Sequence, residues 1–324
     1  MSFSDSRANV AAGIAIAALL TLCWMIYSPA LGGTFLFDDW HNLSGLSKIS
    51  DFNSALQYVL SGTAGPSGRP LALATFAFQA AQWGGSASPF LQINILIHLL
   101  NGLLVYLFFL QLAHTQRVSS VDAQLVAITA VAFWLFMPLL ASSTLMVVQR
   151  MATLSACFML VGLNCYLWFR TRIDLNPHTA LFAMGLTIAF ATSLAILAKE
   201  NGALLPSLIL VLELTLLRRP AGIDLGKWRS WQLAFLLLPT LAIATFLILQ
   251  TPYSRAMVLQ KDFTAWERLL TEAQILWQYL FHAAVAKPFE FGPFHDDYLI
   301  SRSILEPLTF LAIAAWVAVL AGRH

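Results

Sequence analysis

The stretch NVAAGIAIAALLTLCWMIY, residues 9–27, decides the fold class of this chain. It has no charged side chain, and its length is close to the roughly 20 apolar residues that a helix needs to cross a bilayer. Comparable apolar segments follow at 90–112, 123–140, 151–169, 179–197, 202–217, 231–250 and 304–321, with shorter or more polar ones at 70–83 and 269–286. No segment alternates as a β-barrel strand does. The sequence therefore predicts an all-α, polytopic transmembrane helical bundle of about 8–10 helices, with the two weaker segments as interfacial helices.

The composition excludes two broad classes of protein. Of the 324 residues, 59% are hydrophobic and only 10% are charged, whereas soluble domains carry about 25% charged residues. The net charge of +2 and the lack of a basic run argue against a nucleic-acid partner. Cys23, Cys157 and Cys165 lie inside apolar segments without a C-x-x-C pair, so we interpret them as small core residues.

The apolar segments also predict the organisation of the chain. We expect one transmembrane domain over 1–324, a first exoplasmic loop at 29–89 and a last exoplasmic loop at 251–303 that contains an interfacial helix. The basic clusters Arg170/Arg172 and Arg218 to Arg229 fall in short loops, which predicts a cytoplasmic N-terminus. The first segment is longer than a cleaved signal's apolar core, so we expect an uncleaved signal anchor in a multi-pass protein, with a bacterial inner membrane as the expected location. The Gly/Ser/Pro-rich stretch 61–68 predicts a mobile loop.

An acidic pair follows the first apolar segment, in the sequence Phe37-Asp38-Asp39-Trp40. Two adjacent carboxylates at the mouth of a membrane helix repel each other and are expensive to desolvate. Taken alone, the pair fits a functional site and an ordinary solvated loop equally well.

Charged groups elsewhere are predicted to share the membrane face of this pair. They are Arg69, Arg150, Lys199, Glu200, His295, Asp296 and Arg302. Arg150 and Lys199 could instead be snorkelling interface anchors. Together the acids and cations suit transfer from a phosphate-activated donor, since a carboxylate can accept the proton of an attacking hydroxyl and cations can stabilise a departing phosphate. The sequence has no P-loop or dinucleotide-binding motif, and a lipid-linked phosphate would reach an exoplasmic site through the bilayer.

A polar stripe runs along the 90–112 segment. Asn94, His98 and Asn101 are spaced four and three apart, so they share one helix face. We favour hydrogen bonding between helices as the role of this stripe; a direct substrate role for His98, which would then line the site cavity, is the alternative.

The acidic motif resembles that in the first exoplasmic loop of C-type (GT-C) membrane glycosyltransferases. Further stretches are similar to the subgroup that contains the transmembrane-and-tetratricopeptide O-mannosyltransferases and their bacterial relatives. They are Gly68-Arg69-Pro70-Leu71, Asn94-x-x-x-His98-x-x-Asn101, Val148-Gln149-Arg150, Ala198-Lys199-Glu200-Asn201-Gly202, Glu267-Arg268-Leu269-Leu270-Thr271-Glu272 and Phe294-His295-Asp296-Asp297-Tyr298 with Ser301-Arg302. They occur in family order over about residues 35–310.

The resemblance implies a glycosyltransferase that uses a polyprenyl- or dolichyl-phosphate-linked sugar at an exoplasmic site, usually with inversion. Asp38 or Asp39 would be the catalytic base, and the other would orient the acceptor or a divalent metal, which leaves metal dependence open. Arg69, Arg150 and Lys199 would contact the donor phosphate. Glu200 would orient them, and His295, Asp296 and Arg302 would line the cavity. The acceptor would be an exoplasmic protein Ser/Thr, a glycan or a lipid.

Two other functions compete with this prediction. A transporter or flippase of a lipid-linked glycan would use the same charges as a translocation path, and a noncatalytic membrane scaffold would not use them at all. Many members of the subgroup carry more helices or a C-terminal tetratricopeptide domain, so we expect a truncated chain or a short member.

Overall fold

A computed structural model describes residues 3–246, 249, 263–285 and 299–321 of the chain. The described residues form helices and no β-strand, which confirms the prediction of an all-helical protein. We number the helices α1 Phe3–Tyr27, α2 Asp38–Leu43, α3 Phe52–Leu60, α4 Pro70–Ala77, α5 Ser88–Thr115, α6 Ser120–Phe136, α7 Leu139–Leu145, α8 Arg150–Arg170, α9 Pro177–Ala198, α10 Leu205–Thr215, α11 Leu225–Phe246, α12 Ala265–Ala284 and α13 Pro307–Ala321.

Membrane-length helices recur along the first 246 residues. Within the described part of the chain, five helices are long and apolar enough to cross a bilayer: α1, α5, α8, α9 and α11. A sixth span results if α6 and α7 are counted together. These helices fit the predicted multi-pass membrane protein.

The pair α6 and α7 differs from the continuous segment that the sequence predicts at 123–140. The two helices meet at an angle of 62°. Pro138 stands at the break; proline has no backbone N–H and disfavours helical geometry at the residue before it, here Met137. The second half of this span therefore points in a different direction from the first.

The chain divides into two compact units, Met1–Phe136 with Leu140–Leu241, and Met137–Leu139 with Ala242–His324. In the first unit, α1 packs on α5 and α6 through residues such as Ile16, Ile95 and Val131. A second cluster joins α8, α9 and α10 around Tyr166, Met184 and Ile209. The segment between α1 and α5 packs on the start of α5 and on residues 147–151.

One end of the first unit is held by a buried ion pair that the sequence did not single out. Arg170 Nε and Nη2 donate to the Glu213 carboxylate at 2.5 and 2.9 Å, and the Tyr166 hydroxyl donates to the same carboxylate at 2.7 Å. Arg170 Nη2 also donates to the Arg218 carbonyl at 2.8 Å. Each charge is therefore matched, and the pair ties α8 to α10 and to the turn that follows it.

The second unit is described here by itself. Trp277 of α12 stacks on Trp316 of α13 with ring centroids 4.3 Å apart. Each indole N–H donates across the helix pair, Trp277 to the Ala312 carbonyl and Trp316 to the Ala273 carbonyl. Such reciprocal bonds fix both the register and the spacing of the two helices.

We predict that Glu213→Ala lowers the free energy of unfolding by about 3–5 kcal/mol, because it leaves the buried Arg170 without its carboxylate. Glu272→Ala is the matched control, since Glu272 pairs with Arg268 at 3.6 Å on an exposed helix face. Exposed pairs of this kind add little to stability. Thermal unfolding of both variants in detergent tests this, and equal midpoints would contradict it.

Candidate active site

The structure separates the two aspartates of the acidic pair by their surroundings. Both lie in the first turn of α2, but Asp39 is fully buried and Asp38 is exposed. The backbone N–H of Leu36 donates to Asp39 Oδ2 at 2.8 Å, and that of Val148 donates to Oδ1 at 2.7 Å. Asp39 thus joins the turn before α2 to residues 147–149, a 3₁₀ turn that precedes α8. The Asp38 carboxylate faces outward.

Burial dominates the electrostatics of Asp39. Loss of solvent raises the pKa of its carboxyl above the ordinary value, and the neighbouring Asp38 raises it further. The backbone amides of Leu36, Val148 and Val147 oppose this rise, since they stabilise the charged form. Because backbone amides hold the Asp39 carboxylate in place, Asp39 can fix the position of the adjacent Asp38.

The residue before the pair adopts an unusual backbone conformation. Phe37 has φ of 42°, a positive value that non-glycine residues rarely take. Such conformations cost about 1–3 kcal/mol and persist where surrounding contacts enforce them, often at functional sites. Here the bonds of Asp39 on both sides of α2 supply that enforcement, so the direction of α2 and of Asp38 is set by long-range contacts.

Arg150 occupies the interior and does not lie at the surface. It is fully buried; Nε donates to Asn94 Oδ1 at 2.8 Å, Nη2 to the Phe90 carbonyl at 2.9 Å and Nη1 to the Thr75 carbonyl at 3.3 Å. Its guanidinium stacks on the Phe76 ring, 4.3 Å from the centroid. These contacts tie α4, α5 and α8 together.

Lys199, which directly follows α9, is another basic residue at this end of the first unit. Its Nζ donates to Gln149 Oε1 at 3.4 Å, and its carbonyl accepts from Ser155 of α8. Among the described residues, no carboxylate lies within ion-pair distance of Nζ. Partial burial and, second, the nearby Arg69 lower the pKa of Lys199, while Glu200 raises it. The ammonium group is therefore a cation without close compensation.

Arg69 and Glu200 form an ion pair beside Lys199. Arg69 Nη2 lies 2.9 Å from Glu200 Oε2, and both groups are mostly buried. The Ser67 hydroxyl donates to Glu200 Oε1 at 2.8 Å. Although desolvation alone would raise it, the pKa of Glu200 is lowered overall, because Arg69 and Ser67 donate to its charged form. Arg69 itself has φ of 55°.

The loop 61–68, which the sequence predicts to be mobile, packs against the Arg69–Glu200 ion pair. Two glycines allow the backbone to come this close. Gly65 has φ of +75°, and a Cβ placed on it would lie 2.2 Å from Glu200 Oε1. Gly202, in the turn after α9, approaches Ala195 so closely that a Cβ there would lie 2.4 Å from the Ala195 backbone. An added Cβ would crowd the Glu200 carboxylate at Gly65 and the Ala195 backbone at Gly202, so glycine permits the close approach at both positions.

A polar cavity of about 190 Å³ lies beside α2. Its lining includes His41, Asn42, Tyr58, Ser61 and Thr63. The Tyr58 hydroxyl donates to the Asn42 carbonyl at 3.2 Å and closes one side. The sequence-based prediction missed these residues, although His41 is three residues from Asp38 on the same short helix and so shares its face.

The polar stripe of α5 bonds to neighbouring helices, which confirms the favoured interpretation. Asn94 Nδ2 donates to the Met146 carbonyl at 3.0 Å, Asn101 Nδ2 to the Thr153 carbonyl at 2.9 Å, and His98 Nε2 lies 3.2 Å from the Leu135 carbonyl. His98 is buried and lines a separate cavity.

The remaining predicted residues are His295, Asp296 and Arg302. His295 and Asp296 fall outside the described residues. Arg302 belongs to the second unit, where it is exposed and its backbone N–H donates to Glu306 Oε1 at 2.9 Å. Within the described ranges, no three His, Cys, Asp or Glu side chains are arranged to hold a metal ion.

Contacts link the other predicted groups at one end of the first unit. Asp39 bonds to Val148, Gln149 bonds to Lys199, and Glu200 bonds to Arg69.

Comparison with known proteins adds no relative, since no family model, curated protein or solved structure matches the chain.

We predict that Asp39→Ala destabilises the protein by about 2–4 kcal/mol, because the buried amide of Val148 and the partly buried amide of Leu36 lose their acceptor. Asp38→Ala, on the exposed neighbour, should leave the unfolding midpoint nearly unchanged. Thermal unfolding of the two variants in the same detergent checks this. Equal losses would mean that Asp39 does not join α2 to residues 147–149.

We also predict that Gly65→Ala displaces the 61–68 loop from Glu200, whereas Gly84→Ala does not. Both glycines have positive φ, +75° and +86°, so both substitutions impose backbone strain, but Gly84 has nothing within 4 Å of its added Cβ. Hydrogen exchange of the 61–68 backbone should therefore rise in Gly65→Ala alone. A rise of the same size in both variants would assign the effect to strain.

Proposed function

We propose that this chain is a membrane glycosyltransferase of the GT-C type that moves a sugar from a polyprenyl- or dolichyl-phosphate donor to an exoplasmic hydroxyl. The observation that carries the proposal is the division within the acidic pair. Asp39 is buried and holds α2, while Asp38 presents a carboxylate to solvent from a fixed helix. A positioned and accessible carboxylate is what a general base requires.

Asp38 is our choice for the base. In the proposed reaction its carboxylate takes the proton of the acceptor hydroxyl while the hydroxyl oxygen bonds to the anomeric carbon. The bond between that carbon and the phosphate oxygen breaks, and the lipid phosphate leaves with the electron pair. Asp39 acts as a positioning residue, since both of its carboxylate oxygens already accept backbone N–H groups.

Lys199 is the best candidate to stabilise the departing phosphate. Its ammonium has no close carboxylate among the described residues and is partly buried, so its charge is weakly screened. Arg69 is paired with Glu200, and Arg150 is enclosed by carbonyls and rings. We therefore assign Arg69 and Glu200 to holding the 61–68 loop, and Arg150 to positioning residues 147–150.

The polar cavity beside α2 supports a sugar ligand. Side-chain and backbone groups there offer both donors and acceptors, which suits the hydroxyls of a hexose or pentose. The cavity borders the helix that carries Asp38, as an acceptor or sugar site for this base would need to do. The proposed orientation has the N-terminus in the cytoplasm and this end of the first unit on the exoplasmic or periplasmic side.

A transporter or flippase of a lipid-linked glycan is the second candidate. The broken pair α6 and α7 favours it, since discontinuous helices often form the substrate sites of transporters. The charges discussed above argue against it, because they gather at one end of the helices and not along a path between the two ends.

We predict that Asp38→Asn lowers the rate of sugar transfer by about 10²–10⁴, the usual contribution of a general base, without changing the unfolding midpoint. The assay uses the full chain in proteoliposomes with a labelled polyprenyl-phosphate sugar and a hydroxyl acceptor. Asp122→Asn, an exposed aspartate at the start of α6, is the control.

Two results would contradict the proposal. Full transfer by Asp38→Asn would remove Asp38 from the role of base. Movement of the labelled lipid across the bilayer without any covalent product would favour the transporter instead.

A further inference from the structure

The end of the first unit opposite the candidate active site carries exposed basic side chains. Helix α8 connects the two ends, since it begins at Arg150, beside the candidate site, and ends at Arg170. Its 21 residues rise by about 30 Å, and the hydrocarbon core of a bilayer is also about 30 Å thick. When the candidate site lies at one surface of the membrane, the turn after Arg170 therefore lies at the headgroups of the other leaflet.

Two turns at this end pack against each other. One covers residues 171–176 after α8, and the other covers residues 216–224 before α11. Ile173 of the first turn and Ile223 of the second are buried in the same hydrophobic cluster. The backbone N–H of Gly222 donates to Asp174 Oδ1 at 2.7 Å and ties the turns together. These contacts fix the backbone from which the exposed side chains extend.

The second turn and the start of α11 present four exposed basic residues, Arg218, Arg219, Lys227 and Arg229. Among the described residues, none of the four forms an ion pair. Hydrogen bonds hold the first two, since the Arg218 carbonyl accepts from Arg170 Nη2 at 2.8 Å and Arg219 Nη2 donates to the Ile223 carbonyl at 3.0 Å. The positive charge at this end is therefore held in place and largely uncompensated.

The acid closest to these residues in sequence, Asp224, offsets this charge only in part. Its Oδ2 accepts the backbone N–H groups of Gly226 at 2.8 Å and Lys227 at 3.2 Å, and so caps the start of α11. Those backbone bonds lower the pKa of Asp224, and the charges of Lys227 and Arg219 lower it further. One carboxylate, engaged by backbone amides, lies among several cations.

Apolar side chains are exposed beside the cations. Leu175, in the first turn, is 85% exposed, and Trp168, in the last turn of α8, is 48% exposed. The Arg172 guanidinium lies 3.5 Å from the centroid of the Trp168 ring, and its Nη1 donates to the Trp168 carbonyl. Exposed leucine and tryptophan among cations are typical of a surface that contacts lipid, where acyl chains receive the apolar groups and phosphates receive the charge.

We propose that the turns 171–176 and 216–224, with the start of α11, form a binding surface for the phosphate groups of anionic phospholipids. We call it the basic surface. A lipid headgroup fits its depth at the end of α8, its positive charge and its exposed leucine. A zwitterionic headgroup already carries a cation beside its phosphate, so an anionic one gains more from the arginines and the lysine. The inference does not depend on the glycosyltransferase proposal.

Native mass spectrometry of the full chain in a neutral detergent tests this by counting retained lipids. We expect dioleoylphosphatidylglycerol to be retained at concentrations at which dioleoylphosphatidylcholine is not. The double variant Arg218→Gln/Lys227→Gln should bind phosphatidylglycerol about thirtyfold more weakly, a factor of about five for each lost cation. Among the described residues, neither side chain has a hydrogen bond or ion pair to lose, so the fold should persist.

The matched control is Lys48→Gln/Arg302→Gln, which removes the same charge at two exposed positions away from the basic surface. It should bind phosphatidylglycerol as the wild-type protein does. Equal weakening in both double variants would overturn the proposal, because the lipid would then respond only to the net charge of the chain.

Thermal unfolding of the wild-type protein gives a second measurement that needs no variant. Phosphatidylglycerol should raise the unfolding midpoint more than phosphatidylcholine, since a ligand of the folded state stabilises it. The difference should shrink at high salt, because the screening length falls from about 10 Å at 0.1 M to about 3 Å at 1 M. Equal stabilisation by the two lipids would overturn the proposal.

Glycerophosphoglycerol, the same headgroup without acyl chains, distinguishes a lipid from a soluble phosphodiester. We expect it to leave bound phosphatidylglycerol in place, because it lacks the chains that contact the exposed apolar groups. Displacement of the lipid by equimolar glycerophosphoglycerol would overturn the assignment to phospholipid and make the surface a site for soluble phosphodiesters.

Discussion

The hydrogen bonds of Asp39 are the constraint on which the candidate site depends. One carboxylate joins the Leu36 amide, at the end of the segment after α1, to the Val148 amide, more than a hundred residues later. Gln149 and Arg150 follow directly. Gln149 accepts from Lys199, and Arg150 bonds to Asn94 of α5. A single buried acid thus sets where α2, residues 147–150 and the turn after α9 meet.

The charged residues at this end divide between structural and accessible roles according to their burial. Asp39 and Arg150 are fully buried and are held by hydrogen bonds to the protein. Arg69 and Glu200 neutralise each other. Asp38 remains as an exposed acid, and Lys199 as a cation that has no carboxylate within ion-pair distance among the described residues. Charge that is not matched inside the fold is free to act on a ligand, so these two residues carry the proposed chemistry.

Hydropathy located the five membrane-length helices, because a membrane-length apolar segment has few alternatives to a helix in a bilayer. The predicted number of about 8–10 exceeds the five or six candidate spans among the described residues. The spacing of Asn94, His98 and Asn101 likewise predicted bonds between helices. The sequence could not show which aspartate is buried, since that depends on Val148 arriving from a distant segment. It also could not show that Arg150 stacks on Phe76 in the interior. The bend at Pro138 was readable in principle, yet the apolar run across it favoured one continuous helix.

The break between α6 and α7 bears on the position of the candidate site. A straight helix through residues 120–145 would leave the Trp134 carbonyl without a donor, because Pro138 has no N–H, and it would carry α7 away from the turn that holds Asp39. The bend of 62° allows α7 to lead directly into residues 147–149. The geometry that presents Val148 to Asp39 therefore depends on the bend at Pro138.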